Sequence, residues 1–155
     1  MFKIVVFTIF SVLAPRVNAV TKSVYIETHI VTDVVGTDLW VEVPKDQFTA
    51  VYFAKNNTFE DILIPFSMKG TSAYNYQAEL IQSFHTCEQG EIDVESFLNG
   101  QALNENLPLG GFSLSFEGGE WVNKHSLLLK YPLISQTESE QSCHGMLGLT
   151  FSIIL

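Results

Sequence analysis

Ser23-Val-Tyr-Ile-Glu-Thr-His-Ile-Val-Thr-Asp-Val34 is a run of period two. Val24, Ile26, Ile30 and Val34 fall on one face with Thr28 and Thr32 between them, while Tyr25, Glu27, His29 and Asp33 fall on the other. Successive side chains of an extended chain point to opposite sides, so alternation over about a dozen residues predicts a strand with one face made for an apolar groove. Immediately upstream, Met1 to Ala19 carries one early cation, Lys3, then the apolar run Ile4 to Leu13, and closes on Val17-Asn-Ala19. That run is too short to span a bilayer as a helix, and with its small-residue ending it reads as a secretory signal over residues 1–19. Cleavage would leave the alternating strand, about residues 23–35, at a new amino terminus. A strand there is not held by chain on both sides, so it can pair within its own domain or with a neighbouring one.

Residues 20–155 have the length of one domain with room for a sizeable core. The chain has 8 Lys and Arg against 17 Asp and Glu, and loss of Lys3 and Arg16 with the leader moves the net charge from −9 to −11. An acidic domain without a basic patch argues against nucleic acid and anionic membrane surfaces as partners. No second apolar run approaches the roughly 18 residues that a spanning helix needs, so the expected product is soluble and exported. The two cysteines, Cys87 and Cys143, admit two readings. An exported chain with an even count favours a disulfide, here across 56 residues. Alternatively His85, Cys87, Cys143 and His144 form the ligand set of a structural zinc site, though not with the spacing of a zinc motif. The reading adopted is the disulfide, with no metal and no other cofactor.

Short alternating runs recur along the chain: Leu39 to Val43, Phe48 to Phe53, Phe59 to Met68, Tyr74 to Phe84 (which breaks phase after Leu80), Ile92 to Phe97, Phe112 to Phe116, Ser126 to Tyr131 and Gly145 to Leu155. Turn signals separate them, notably Lys55-Asn-Asn57, Asn99-Gly100 and Gly118-Gly119. Pro65 inside a run predicts an edge or a bulge there. No segment after the leader has a helical period. Many short strands with turns at roughly 8–12-residue spacing predict an all-β sandwich or barrel. Leu147, Leu149, Phe151, Ile153 and Leu155 alternate to the last residue, so this strand is expected inside the core.

Catalytic signatures are missing: there is no Gly-x-Ser-x-Gly elbow, no His-Glu-x-x-His and no Cys-x-x-Cys. Glu60-Asp61, Glu91/Asp93 and Glu138/Glu140 read as solvated faces rather than as glycosidase pairs. His29 and His125 have no evident partner and are expected at the surface. Trp40 and Trp121 read as core or rim aromatics. The chain is therefore expected not to be an enzyme.

Three segments resemble the CS1-type (alpha-class) fimbrial subunits of Gram-negative bacteria. Val24 to Asp33 looks like that family's amino-terminal donor strand. Ile92-Asp-Val-Glu-Ser-Phe-Leu-Asn-Gly-Gln-Ala-Leu103 is similar to a family strand and turn ending in Gly-Gln-x-Leu, and Cys143-His-Gly-Met-Leu-Gly-Leu-Thr-Phe-Ser-Ile153 looks like its last strand. The resemblance implies an immunoglobulin-like β-sandwich one strand short. A periplasmic chaperone would fill the gap first, and the amino-terminal strand of the next subunit would replace it at an outer-membrane usher. It implies a structural fimbrial (pilus) subunit at the cell surface that mediates adhesion, with itself, the chaperone, the usher and a host surface receptor as partners. Val24, Ile26, Ile30 and Val34 would be the donor residues, and Leu147, Leu149, Phe151 and Ile153 would help line the acceptor groove. The competing reading is a minor or tip adhesin, or a free secreted carbohydrate-binding sandwich, with Trp40, Tyr52, Tyr74 and Tyr76 as its surface aromatics.

Overall fold

The computed structural model of the chain describes residues 24–31, 38–45, 47–135 and 142–154. The leader, Val34, the Glu138/Glu140 pair and the terminal Leu155 lie outside them. Within the described residues the chain is strand and turn throughout. One sheet is built in the order β11 (Leu109–Ser113), β7 (Asn75–Cys87), β14 (Cys143–Ile153), β1 (Val24–Val31) and β3 (Gln47–Phe48), with β8 (Gly90–Glu91) on the end of β7. The second runs β10 (Gln101–Ala102), β9 (Glu95–Leu98), β13 (Glu120–Lys130), β6 (Ile62–Gly70) and β2 (Leu39–Glu42), with β12 (Ser115–Glu117) also on β13. A small ribbon pairs β4 (Tyr52–Phe53) with β5 (Thr58–Phe59). Neither sheet closes on itself, and the expected all-β sandwich is the architecture found.

Alternation explains the layers. Along β6 every second residue from Ile62 to Gly70 is buried, and the residues between face outward. Rings meet across the gap: Phe66 of β6 stands edge-on to Phe151 of β14 at 5.7 Å. Burial of such side chains, each worth about 1.5–3 kcal/mol, is what joins the two sheets into one core. The turns follow the sequence signals. Asn99 and Gly100 (φ 51° and 81°) close the two-residue hairpin between Leu98 and Gln101, and Gly118-Gly119 closes the one between Glu117 and Glu120. Pro65 lies where β6 is an edge, because pairing with β2 ends at Ser67, so the missing amide proton has no ladder to break.

Two differences from the sequence reading, and the phase break that the sequence shows after Leu80, have local causes. Phe48 to Phe53 is two strands, not one: β3 joins the first sheet, β4 joins the ribbon, and the small, buried Ala50 lets the chain cross between them. Phe112 to Phe116 likewise changes sheets at buried Leu114, which passes from β11 to β12. The phase break after Leu80 is a β-bulge: Leu149 faces Leu80 while Gly148 faces Gln82, so Ile81 is the extra residue. From there the buried positions shift to His85 and Cys87. Without that extra residue the two would face solvent.

Candidate strand-exchange site

The central feature of the first sheet is its C-terminal strand. β14 pairs along its whole length with β7 in antiparallel fashion and, on its other flank, with β1 in parallel. The β1 ladder runs from Val24 opposite Cys143 to Val31 opposite Thr150, placing Ile26 opposite Gly145 and Ile30 opposite Leu149. On its far side, among the described residues, β1 meets β3, at Ile26 with Phe48 and Glu27 with Gln47. Thus β1 is held by an eight-residue ladder on one flank and two residue pairs on the other. The rest of the described chain all lies on its carboxyl-terminal side. In the isolated chain, therefore, the place beside β14 is taken by the chain's own amino-terminal strand.

The four residues read as lining an acceptor groove sit on β14. Leu147, Leu149 and Phe151 are fully buried, and Ile153, at the strand's end, is half-buried against the core. Of the four residues expected to act as donors, Val24, Ile26 and Ile30 lie on β1 and Val34 lies outside the described residues. Cys87 and Cys143 face each other in register and are disulfide-bonded, tying β7 to β14 at the start of the β1 ladder. Both thiols are thus committed, His144 is exposed, and no group of three or more metal-ligating side chains comes together among the described residues. The acid pairs Glu60-Asp61 and Glu91/Asp93 are exposed.

Beside the disulfide, His85 is 3% exposed, and neither ring nitrogen has a hydrogen-bond partner. Its ring lies across β14 where Gly145 has no side chain: a Cβ there would fall 1.9 Å from Nδ1. Burial pushes the His85 pKa down to about 4, because the charged form would lose its hydration without a compensating partner.

His125 corrects the surface expectation. It is 4% exposed, stacked on Phe66 at 5.2 Å, and held at both nitrogens. Ser126 N–H donates to Asn99 Oδ1 at 3.0 Å, which turns the Asn99 amide nitrogen toward His125 Nδ1 at 2.8 Å. An amide NH2 can only donate, so Nδ1 accepts. The ring proton is then on Nε2, 2.6 Å from the Tyr76 hydroxyl, which accepts it. Burial lowers this pKa also to about 4, and protonation would set Nδ1–H against the Asn99 donor. Tyr76 and Tyr52 are buried too, so of the aromatics expected at the surface only Trp40 is well exposed, with Tyr74 half-buried. Sequence offered no signal for the His125 network, because its members come from β7, β13 and the Asn99 turn.

Both histidines are neutral in the fold and titrate in the unfolded chain near 6.5, so the unfolded state binds more protons between pH 6.5 and 4. Stability is accordingly full above pH 6.5, falls as pH drops toward 4, and stops falling from this cause below it. At pH 5 the loss comes to roughly 2 kcal/mol per histidine. A thermal melting series from pH 7 to pH 4 is expected to show it. His85→Leu, which removes a ring without polar partners, is expected to reduce the slope and to leave stability at pH 7 nearly unchanged.

No family model matches the chain, and no curated protein matches it. Among solved structures, the CooA pilin subunit from enterotoxigenic Escherichia coli is similar at 10% identity and a TM-score of 0.49, over 73% of this chain and 97% of that one.

Proposed function

We propose that this protein is a structural subunit of a bacterial surface fimbria, polymerising by exchange of its amino-terminal strand between copies. The carrying observation is that β1 completes the sheet along β14 through an eight-residue ladder, while its pairing on the other flank among the described residues is two residue pairs with β3. Departure of β1 would release the two-residue β3 with it and leave the β11–β7–β14 ladders and the second sheet in place. The vacancy accepts the same strand from another copy, because the same groove and the same strand are present in both. Each such contact is head-to-tail and does not close on itself, so repetition gives a filament. The resemblance of Val24 to Asp33, Ile92 to Leu103 and Cys143 to Ile153 to CS1-type fimbrial segments supports the same reading. It brings with it export through the periplasm after loss of residues 1–19, a chaperone that fills the groove before assembly, an usher, and adhesion as the fibre's role. Ile26 and Ile30 are the principal donor residues, opposite Gly145 and Leu149. The test is electron microscopy of producing cells: Ile26→Asp should abolish surface fibres while the subunit is still exported, and normal fibres from that strain would refute the proposal.

A further inference from the structure

The chain's two tryptophans, Trp40 and Trp121, both line one surface recess of about 310 Å³ on the sheet that does not contain β14. It forms where two register rows end: Leu39–Gly70–Trp121–Phe116 and Trp40–Lys69–Val122–Ser115, read across β2, β6, β13 and β12. Trp40 is 43% exposed and Phe116 62%, and the Phe116 and Trp121 rings lie 5.3 Å apart. Stranding large aromatic faces in water is costly, and here three of them gather in a concave place. Polar groups stand among them at fixed positions. Lys69 Nζ is 2.6 Å from Glu42 and 2.9 Å from Glu120, so the ammonium of the Lys69–Glu120 pair, which lines the recess, is held between two carboxylates. Thr71 donates its hydroxyl proton to Asp38 at 3.3 Å and keeps its lone pairs. Gly119, in the turn at φ 95°, has open space where a side chain would stand, so the backbone there is accessible.

We infer that this recess binds an uncharged pyranose, the terminal ring of a neutral glycan. A pyranose has an apolar C–H face and a rim of hydroxyls. The electron-rich faces of Trp40, Trp121 and Phe116 suit the polarised C–H groups, and the Lys69–Glu120 pair, Thr71 and the Gly119 main chain supply donors and acceptors for the rim. The volume lies at the lower end of small-ligand clefts, about 300–1,000 Å³, which suits one or two rings. Charge excludes the acidic alternatives: two carboxylates on one ammonium leave the site net negative, repelling sialic acid and phosphate. The inference goes beyond the fimbrial reading and does not depend on it, because the described residues that line the recess come from β2, β6, β12, β13 and the turns beside them.

With both tryptophans in the recess, tryptophan emission reads the site directly. The probes are the methyl pyranosides of glucose, galactose, mannose and N-acetylglucosamine, with N-acetylneuraminic acid as the charged control, titrated into residues 20–155. At least one neutral glycoside should give a saturable emission change. Phe116→Ala, which keeps both tryptophans, and Lys69→Met should each weaken it at least tenfold with the near-ultraviolet circular dichroism of the fold intact, while Leu133→Ala, exposed elsewhere, should not. No response to any neutral glycoside, an equal response to N-acetylneuraminic acid, or undiminished binding by Phe116→Ala would overturn the inference.

Discussion

A chain lacking residues 20–34 is expected to aggregate when expressed alone and to become a stable monomer when the missing segment is returned. Removal of β1 strips the ladder from one flank of β14 and opens the core beside Leu147, Leu149 and Phe151. Uncovering Leu147, Leu149 and Phe151, at about 1.5–3 kcal/mol for each side chain fully exposed, is a loss comparable to the whole stability of a small domain. The backbone groups of β14 would also lose their partners and become a template for any free strand. Appending a copy of residues 20–34 after Leu155 through a flexible linker of about fifteen residues, long enough to run back along β14 to Cys143 as the parallel pairing requires, should restore a soluble monomer, because tethering holds the strand at high effective concentration. The same copy with Ile26→Asp and Ile30→Asp should fail, since unpaired carboxylates resist burial. Size-exclusion chromatography and thermal melting distinguish the outcomes. A soluble deletion chain that melts like the parent would mean that β1 is dispensable to the fold.

The second large effect concerns the Cys87–Cys143 bridge. It joins directly opposed residues of β7 and β14 and closes a loop of 56 residues. In the chain-entropy model, constraining the unfolded chain to that extent is worth about 4 kcal/mol. The double substitution Cys87→Ala with Cys143→Ala should therefore lower stability in urea by about that amount, with the slope of the transition changed because the unfolded state expands. The bridge also fixes the β7–β14 register at the end where the β1 ladder begins. Loss of the disulfide should accordingly weaken rescue by the appended strand as well as global stability. Unchanged urea midpoints for the double variant would remove the bridge from the account.

The parts of this fold that were legible in sequence are those set by local rules. Strict alternation identified β6 and β14, because a strand with one buried face must repeat every two residues. Asn99-Gly100 and Gly118-Gly119 marked their turns because few residues adopt positive φ at low cost. What stayed hidden depends on contacts distant in sequence. The switch of Phe112 to Phe116 between sheets keeps a perfect alternation while changing partners, so periodicity alone reads it as one strand. His125 looked solitary because Tyr76 and Asn99 lie 49 and 26 residues away. For the site, the pattern of Val24 to Val31 identified a strand, but period two says nothing of which strand it will lie beside or in which direction. The parallel pairing with β14 emerges only from the fold.

That β1 passes between copies is tested most directly by native mass spectrometry of the soluble assemblies formed when residues 20–155 and the version lacking residues 20–34 are produced together, so that a donated strand can fill the deletion copy's groove before that copy aggregates. The deletion copy can accept a strand but cannot donate one. Mixed assemblies should therefore contain any number of complete copies and one deletion copy at most, whatever the ratio in which the two are produced. Assemblies holding two deletion copies, or a mixture in which the deletion copy joins no assembly at all, would contradict strand exchange.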